Sequence, residues 1–193
     1  MPTVLEARER SAMPYHRWTV DEFHQMATAG LLDESDRVEL IEGEMIDIAP
    51  IGSRHAFIVN RLSQAFAAGG AKGQYLVSTQ NPVCLGDRSE PQPDIALLKN
   101  GNYMDALPGA ADVLLIVEVS DTTLEYDRDV KLALYARHGI PEVWLLDVNA
   151  SELTIYREPA DGQYRLIRKP QSTEVVSPIL VPELALRLTE VMG

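Results

Sequence analysis

Val113-Leu-Leu-Ile-Val-Glu-Val119 decides the fold. Six of its seven residues are branched or aliphatic apolar and one is a carboxylate, the composition of a strand buried on both faces at the centre of a sheet. Downstream, Glu125 to His138 has helical spacing. It is stopped by Gly139 and by Pro141 two residues later, because glycine takes the left-handed conformation that ends helices and proline cannot continue one. Val143 to Val148 then reads as a second continuous apolar strand. Strand, helix and strand in that order form a crossover unit, so the two strands are predicted to be parallel with a right-handed connection.

Upstream, Pro93 to Leu98 is predicted as a strand, and the connection from Lys99 to Asp112, with Gly101, Pro108 and Gly109, suits a surface loop between it and 113–119. Gln74 to Ser78 and Val83 to Leu85 are shorter strand candidates. From Ser53 to about Ala68 the spacing is helical, with His55, Val59, Leu62 and Phe66 on one stripe facing the sheet. Arg37 to Ile41 and Glu44 to Ile48 flank Glu42-Gly43, a two-residue turn signature, and so predict a hairpin. Thr19 and Glu22 have the spacing of a capping box, followed by Phe23, Met26 and Ala27 at helical intervals up to Gly30. Residues 1–18 lack periodicity and read as a flexible arm, leaving 19–193 as a single domain. Glu152 to Arg157 and Gln163 to Arg168, around Asp161-Gly162, read as a peripheral hairpin; the segment 178–193 reads ambiguously. The class is α/β, a mixed sheet with flanking helices and an added N-terminal helix and hairpin.

A chain of 193 residues that is 46% hydrophobic is long enough for one sizeable core. Its single cysteine, Cys84, excludes an intramolecular disulfide framework and a cysteine-built zinc site. No apolar run approaches the roughly 20 residues that span a bilayer, and the charged N-terminus lacks a secretory signal pattern, so a soluble, cytoplasmic protein with no membrane partner is expected. The net charge of -12 counts against tight binding of a polyanion. Clustered carboxylates that hold divalent cations would raise the acidic count while the bound ions offset part of their field.

Two carboxylates stand out. Asp94 opens its strand and Glu118 closes the most apolar one. If these strands are antiparallel neighbours, the start of one lies beside the end of the other and both carboxylates reach the same sheet edge. Such a pair suits Mg²⁺, a hard cation commonly held by one or two carboxylates plus water and substrate phosphate. The ordinary readings are a strand-end carboxylate reaching water for Glu118 and a turn residue after proline for Asp94. Against the first, Glu118 interrupts an apolar run where an unpaired buried charge costs several kcal/mol or more.

Asp127, Lys131 and Tyr135, spaced four apart, share one helix face. An ordinary surface ion pair between Asp127 and Lys131 competes with a sharper reading, in which Lys131 points over the sheet edge, orients water and stabilises phosphorane charge. Glu39 lies on an apolar strand face with Ile41, opposite Ile46 and Ile48. His55 heads the apolar stripe of its helix, as either a hydrogen-bonded structural residue or a proton-transfer group.

Arg37-Val-Glu-Leu-Ile-Glu-Gly-Glu44, Gly52-Ser-Arg-His55, Pro93-Asp-Ile95, Val117-Glu-Val-Ser120 and the run from Tyr126 to Trp144 together resemble the Uma2 family of bacterial restriction-endonuclease-like proteins. The resemblance covers most of the chain from Thr19 onward. It implies the PD-(D/E)XK nuclease fold, with Asp94 as the aspartate of the PD motif, Glu118 as the second acidic residue, and Mg²⁺ or Mn²⁺ bound between them. The lysine expected two residues after Glu118 is replaced by Ser120, and Lys131 is the substitute that the resemblance suggests. Glu39 and His55 match family positions and complete the candidate catalytic set. An endonuclease acting on nucleic acid, DNA foremost, is thereby implied, and a homodimer able to cut two strands. The competing reading is a catalytically inactive binding or regulatory module that keeps the fold, favoured by the acidic charge and by Ser120. A metal-independent hydrolase lacks a glycine-framed serine or cysteine nucleophile.

Overall fold

The computed structural model describes residues 15–33, 36–69 and 73–192. In chain order its main elements are α1 (Val20–Thr28), the hairpin β1 (Val38–Ile41) and β2 (Glu44–Asp47), α2 (Ser53–Gly69), β3 (Tyr75–Thr79), β4 (Ile95–Lys99) and β5 (Val113–Ser120). A composite helix α3 follows, with an α-turn Leu124–Tyr126, a π-helical stretch Asp127–Lys131 and an α-helical end Leu132–Arg137. After it come β6 (Glu142–Asp147), β7 (Glu152–Ala160), β8 (Gln163–Arg168), the short pair β9 (Val175–Val176) and β10 (Leu186–Arg187), and α4 (Leu188–Met192).

Six strands form one sheet in the order β3-β4-β5-β6-β7-β8. The β5–β6 pair is parallel, joined through α3, and the other neighbours are antiparallel. This is the mixed sheet with flanking helices expected from the crossover unit. Period-2 alternation along β5 divides its side chains between two cores. Leu115, Val117 and Val119 face α2, where they pack with Leu62, Phe66 and Trp144. Ile116 faces α3, with Leu134, Tyr135 and Val143. Glu118, two residues after Ile116, therefore points to the α3 side and is nearly fully buried.

Local chemistry explains the peripheral elements. The Thr19 hydroxyl accepts from the Glu22 amide, and the Glu22 carboxylate accepts from the Thr19 amide, closing the capping box of α1. Glu42 and Gly43 take φ of 51° and 79°, the left-handed pair that matches a two-residue turn to strand twist. A methyl on Gly43 would sit 2.8 Å from Arg17 Cβ, so only glycine lets residues before α1 cross the hairpin this closely. Of the arm expected over 1–18, residues 1–14 lie outside the described residues, while the Trp18 amide donates to the Gly43 carbonyl.

Packing corrects one reading of local pattern and completes two others. Val83 to Leu85 is not a strand: the Val83 and Leu85 amides donate to Pro91 and Ser89, but Pro91 has no N–H to return and the Glu90 amide turns to Leu40. The peripheral hairpin β7–β8 forms one edge of the central sheet, beyond β6. The ambiguous end of the chain is drawn onto the α2 core through Val181, Leu184 and Val191. Its tether is Glu142, fully buried, which accepts from Trp144 Nε1 at 2.6 Å, Arg157 at 2.8 Å and the Ile179 amide at 2.6 Å. No described helix is long and apolar enough to cross a membrane.

Phe66 is fully buried and meets the Trp144 ring edge-on at 6.3 Å, joining α2 to the sheet. Phe66→Ala is expected to cost about 3–5 kcal/mol, read as a lowered urea midpoint at unchanged slope.

Candidate active site

The antiparallel register pairs Ile95 with Val117, which sets Asp94 opposite Glu118. Asp94 lies just before β4 and is fixed from several directions. Its Oδ2 accepts from the Val119 amide at 2.9 Å, and its Oδ1 accepts from His55 Nε2 at 2.8 Å and Gln80 Nε2 at 3.3 Å. The Asp94 amide points at Glu118 Oε2 across 3.4 Å. His55 stands in the first turn of α2, whose apolar stripe seats the helix against the sheet and aims the ring at its edge. The hydrogen bond to Asp94 raises the His55 pKa against the opposing effect of burial, favouring the imidazolium.

Lys131 reaches the site from α3. Its ammonium donates to Glu39 Oε1 at 2.9 Å and lies 3.4 Å from Glu118 Oε1, with all three side chains at most 8% exposed. Burial alone would lower the lysine pKa; the Glu118 and Glu39 carboxylates outweigh it and hold Lys131 above its ordinary value. Glu39 also accepts from the Gln92 amide at 2.7 Å, which ties the hairpin to the segment leading into Asp94. Glu118 Oε1 accepts from the Tyr135 hydroxyl at 2.5 Å. Burial pushes the Glu118 pKa up to about 8, with Lys131 opposing part of that rise.

All five residues singled out from sequence, Asp94, Glu118, Lys131, Glu39 and His55, thus line one cavity of about 300 Å³. The ion pair considered between Asp127 and Lys131 is replaced by other partners. Asp127 Oδ2 accepts from Ser120 Oγ at 2.7 Å and Thr123 Oγ1 at 2.6 Å, so the serine standing at the superfamily's lysine position holds the start of α3. The π-helical stretch carries the Leu132 amide back to the Asp127 carbonyl, five residues away, and both Asp127 and Lys131 are buried. Sequence reasoning left Tyr135 without a role and missed Tyr126, Gln80 and Gln92. The four-residue spacing back to Lys131 marked Tyr135 as a neighbour. No local signal marked Tyr126, whose buried hydroxyl has no hydrogen-bond partner among the described residues.

The donor set bears on a metal. Among the described residues, no three or more His, Cys, Asp or Glu side chains form a ready cage. Two converging carboxylates beside an open cavity nevertheless fit the partial, water-completed coordination of Mg²⁺ or Mn²⁺. Glu118 offers a further reason for the fit: burial penalises its charge, and a bound cation would offset that penalty.

Residues 20–189 match the family model described as "Uma2: Putative restriction endonuclease". Among solved structures, one titled as a putative nuclease belonging to DUF820 from Anabaena variabilis superposes with a TM-score of 0.72 at 18% identity. The match covers 90% of this chain and 97% of that one, a likeness of fold. The curated proteins give no match.

Because the Glu118 pKa is raised from 4.5 to about 8 on folding, its contribution to stability is present below pH 4.5 and is lost as pH rises through about 8. In chelator, Glu118→Gln should gain on the wild type between pH 5 and pH 8.5, by up to about 1.4 kcal/mol per unit. Urea unfolding at both pH values measures the difference; a constant offset would contradict the raised pKa.

Proposed function

The chain belongs to the Uma2 family, and on that premise we propose that it is a nuclease that hydrolyses phosphodiester bonds of DNA with Mg²⁺ or Mn²⁺ as cofactor. The observation that carries this reading is the convergence of Asp94 and Glu118 from adjacent antiparallel strands, with the Lys131 ammonium 3.4 Å from Glu118. Asp94 and Glu118 would hold the cation. When bound, it supplies a water of lowered pKa and offsets charge on the attacking and leaving oxygens.

The chain's own residues do the rest. The Val119 amide and His55 fix the Asp94 carboxylate, and Tyr135 fixes that of Glu118, so neither needs to reorganise when substrate arrives. Lys131, positioned by Glu39, offers N–H donors to the phosphate oxygens as negative charge builds on them. His55 holds a proton at Nε2 against Asp94, within reach of the same edge.

One observation favours the alternative of an inactive module: Lys131 is already engaged by Glu39 and Glu118, the arrangement of a purely structural ion pair. The two readings separate on metal. A nuclease should cleave DNA in Mn²⁺ or Mg²⁺, lose that activity in EDTA, and lose at least about 100-fold in Asp94→Ala and Glu118→Ala. Equal cleavage by wild type and Asp94→Ala would reject the assignment. Mn²⁺ should also raise the melting temperature of the wild type and not that of Asp94→Ala, since binding to the folded state stabilises by mass action.

Lys131→Met leaves two carboxylates buried without their cation and should cost about 3–5 kcal/mol in chelator. Mn²⁺ should restore part of that loss, read as a larger rise in melting temperature than in the wild type.

A further inference from the structure

The cavity above the carboxylates is small and bounded by two chain segments. Its floor is Asp94, Glu118 and Lys131. One wall is the hairpin and the segment after it, presenting Ile46, Ile48, Pro50 and Ile51; the facing wall is the loop after β5 and the start of α3. The two segments come close at one point, where a methyl on Gly52 would be in van der Waals contact with Asp121 Oδ2 at 3.4 Å. A cavity of about 300 Å³ has room for one unstacked nucleotide and not for a stacked base pair. The volume falls at the lower end of the range that holds small organic ligands, the scale of one nucleotide.

Charge points the same way. Of the residues lining the cavity only Arg37, His55 and Lys131 are basic, and the last two are already held by Asp94, Glu39 and Glu118. A protein that tracks a duplex neutralises a row of phosphates with lysine and arginine; here the chain carries a net charge of -12. The aliphatic wall offers instead an apolar surface for the face of an unpaired base. Tyr126 also lines the cavity, with its hydroxyl buried and unpartnered among the described residues.

Resting on the nuclease reading of the same site, we propose that the substrate is an unpaired strand of nucleic acid, one nucleotide of which enters this cavity with its base against the Ile46–Ile51 wall and its phosphate at the carboxylates. A stacked, paired base is too large a unit for a cavity of this size.

The experiment measures fluorescence anisotropy in Ca²⁺, which takes the same oxygen ligands, with a labelled DNA single strand, the RNA of the same sequence, and a duplex capped by hairpins at both ends. At least one single strand should bind roughly tenfold or more tighter than the capped duplex, and the DNA and RNA arms show which sugar is preferred. Ile48→Trp, which narrows the cavity, should abolish that preference while keeping the wild-type melting temperature. Equal or tighter binding of the capped duplex, or no binding of any probe, would overturn the proposal. Single-strand preference without Mn²⁺-dependent cleavage would sink the nuclease reading and leave the strand preference standing. Cleavage of the capped duplex as fast as of the single strand would do the reverse.

Discussion

The structure turns on a buried lysine. Lys131 is carried by α3 into a space enclosed by the hairpin and the central sheet, where Glu39 and Glu118 are its counter-ions. Desolvating three charges is costly, and burying such a group is weak evidence of stabilisation in itself. What it does supply is registry. The ammonium reaches both carboxylates only if the hairpin, β5 and α3 hold their relative positions, and each of those elements contributes one side chain to the triad. The Gln92 amide, bonded to the same Glu39, extends the constraint to the segment that delivers Asp94.

Topology decides where that triad sits. Asp94 precedes β4 and Glu118 lies near the end of β5; the antiparallel register sets them side by side, and the crossover through α3 begins at the same edge. The strand ends and the helix start therefore share one corner. There, main-chain and side-chain donors are already aimed at carboxylates, the condition for electrostatic preorganisation. Ser120 illustrates the economy of the arrangement. The position two residues beyond Glu118 carries a hydroxyl that anchors Asp127, and one helical turn beyond Asp127 on α3 the Lys131 ammonium comes within 3.4 Å of Glu118.

On the function proposed above, acidic charge and a nucleic-acid substrate are compatible. A site that engages a long stretch of backbone needs many cations, but one that encloses a single phosphate needs only a metal and one lysine. The aliphatic wall from β2 and the segment after it adds contact that does not depend on charge.

Much of this was written locally in the sequence. The apolar run of β5, the helix that follows it and the strand after that specify a parallel crossover through residue type and spacing alone. Glu42-Gly43 and the Thr19–Glu22 pair specify a turn and a cap through the chemistry of adjacent residues. Even the importance of Glu118 was legible, because a carboxylate inside an apolar strand demands a partner. The identity of the partners was not. Lys131 and Glu39 are 92 residues apart, and Asp127 looks like the natural mate of Lys131 until packing hands it to Ser120 and Thr123. The failure of Val83 to Leu85 as a strand, the joining of β7–β8 to the central sheet and the seating of the last residues on α2 were decided the same way. Periodicity and turn chemistry belong to neighbours along the chain, whereas a hydrogen bond or ion pair belongs to whichever groups the assembled core leaves facing each other, and only the tertiary structure fixes that.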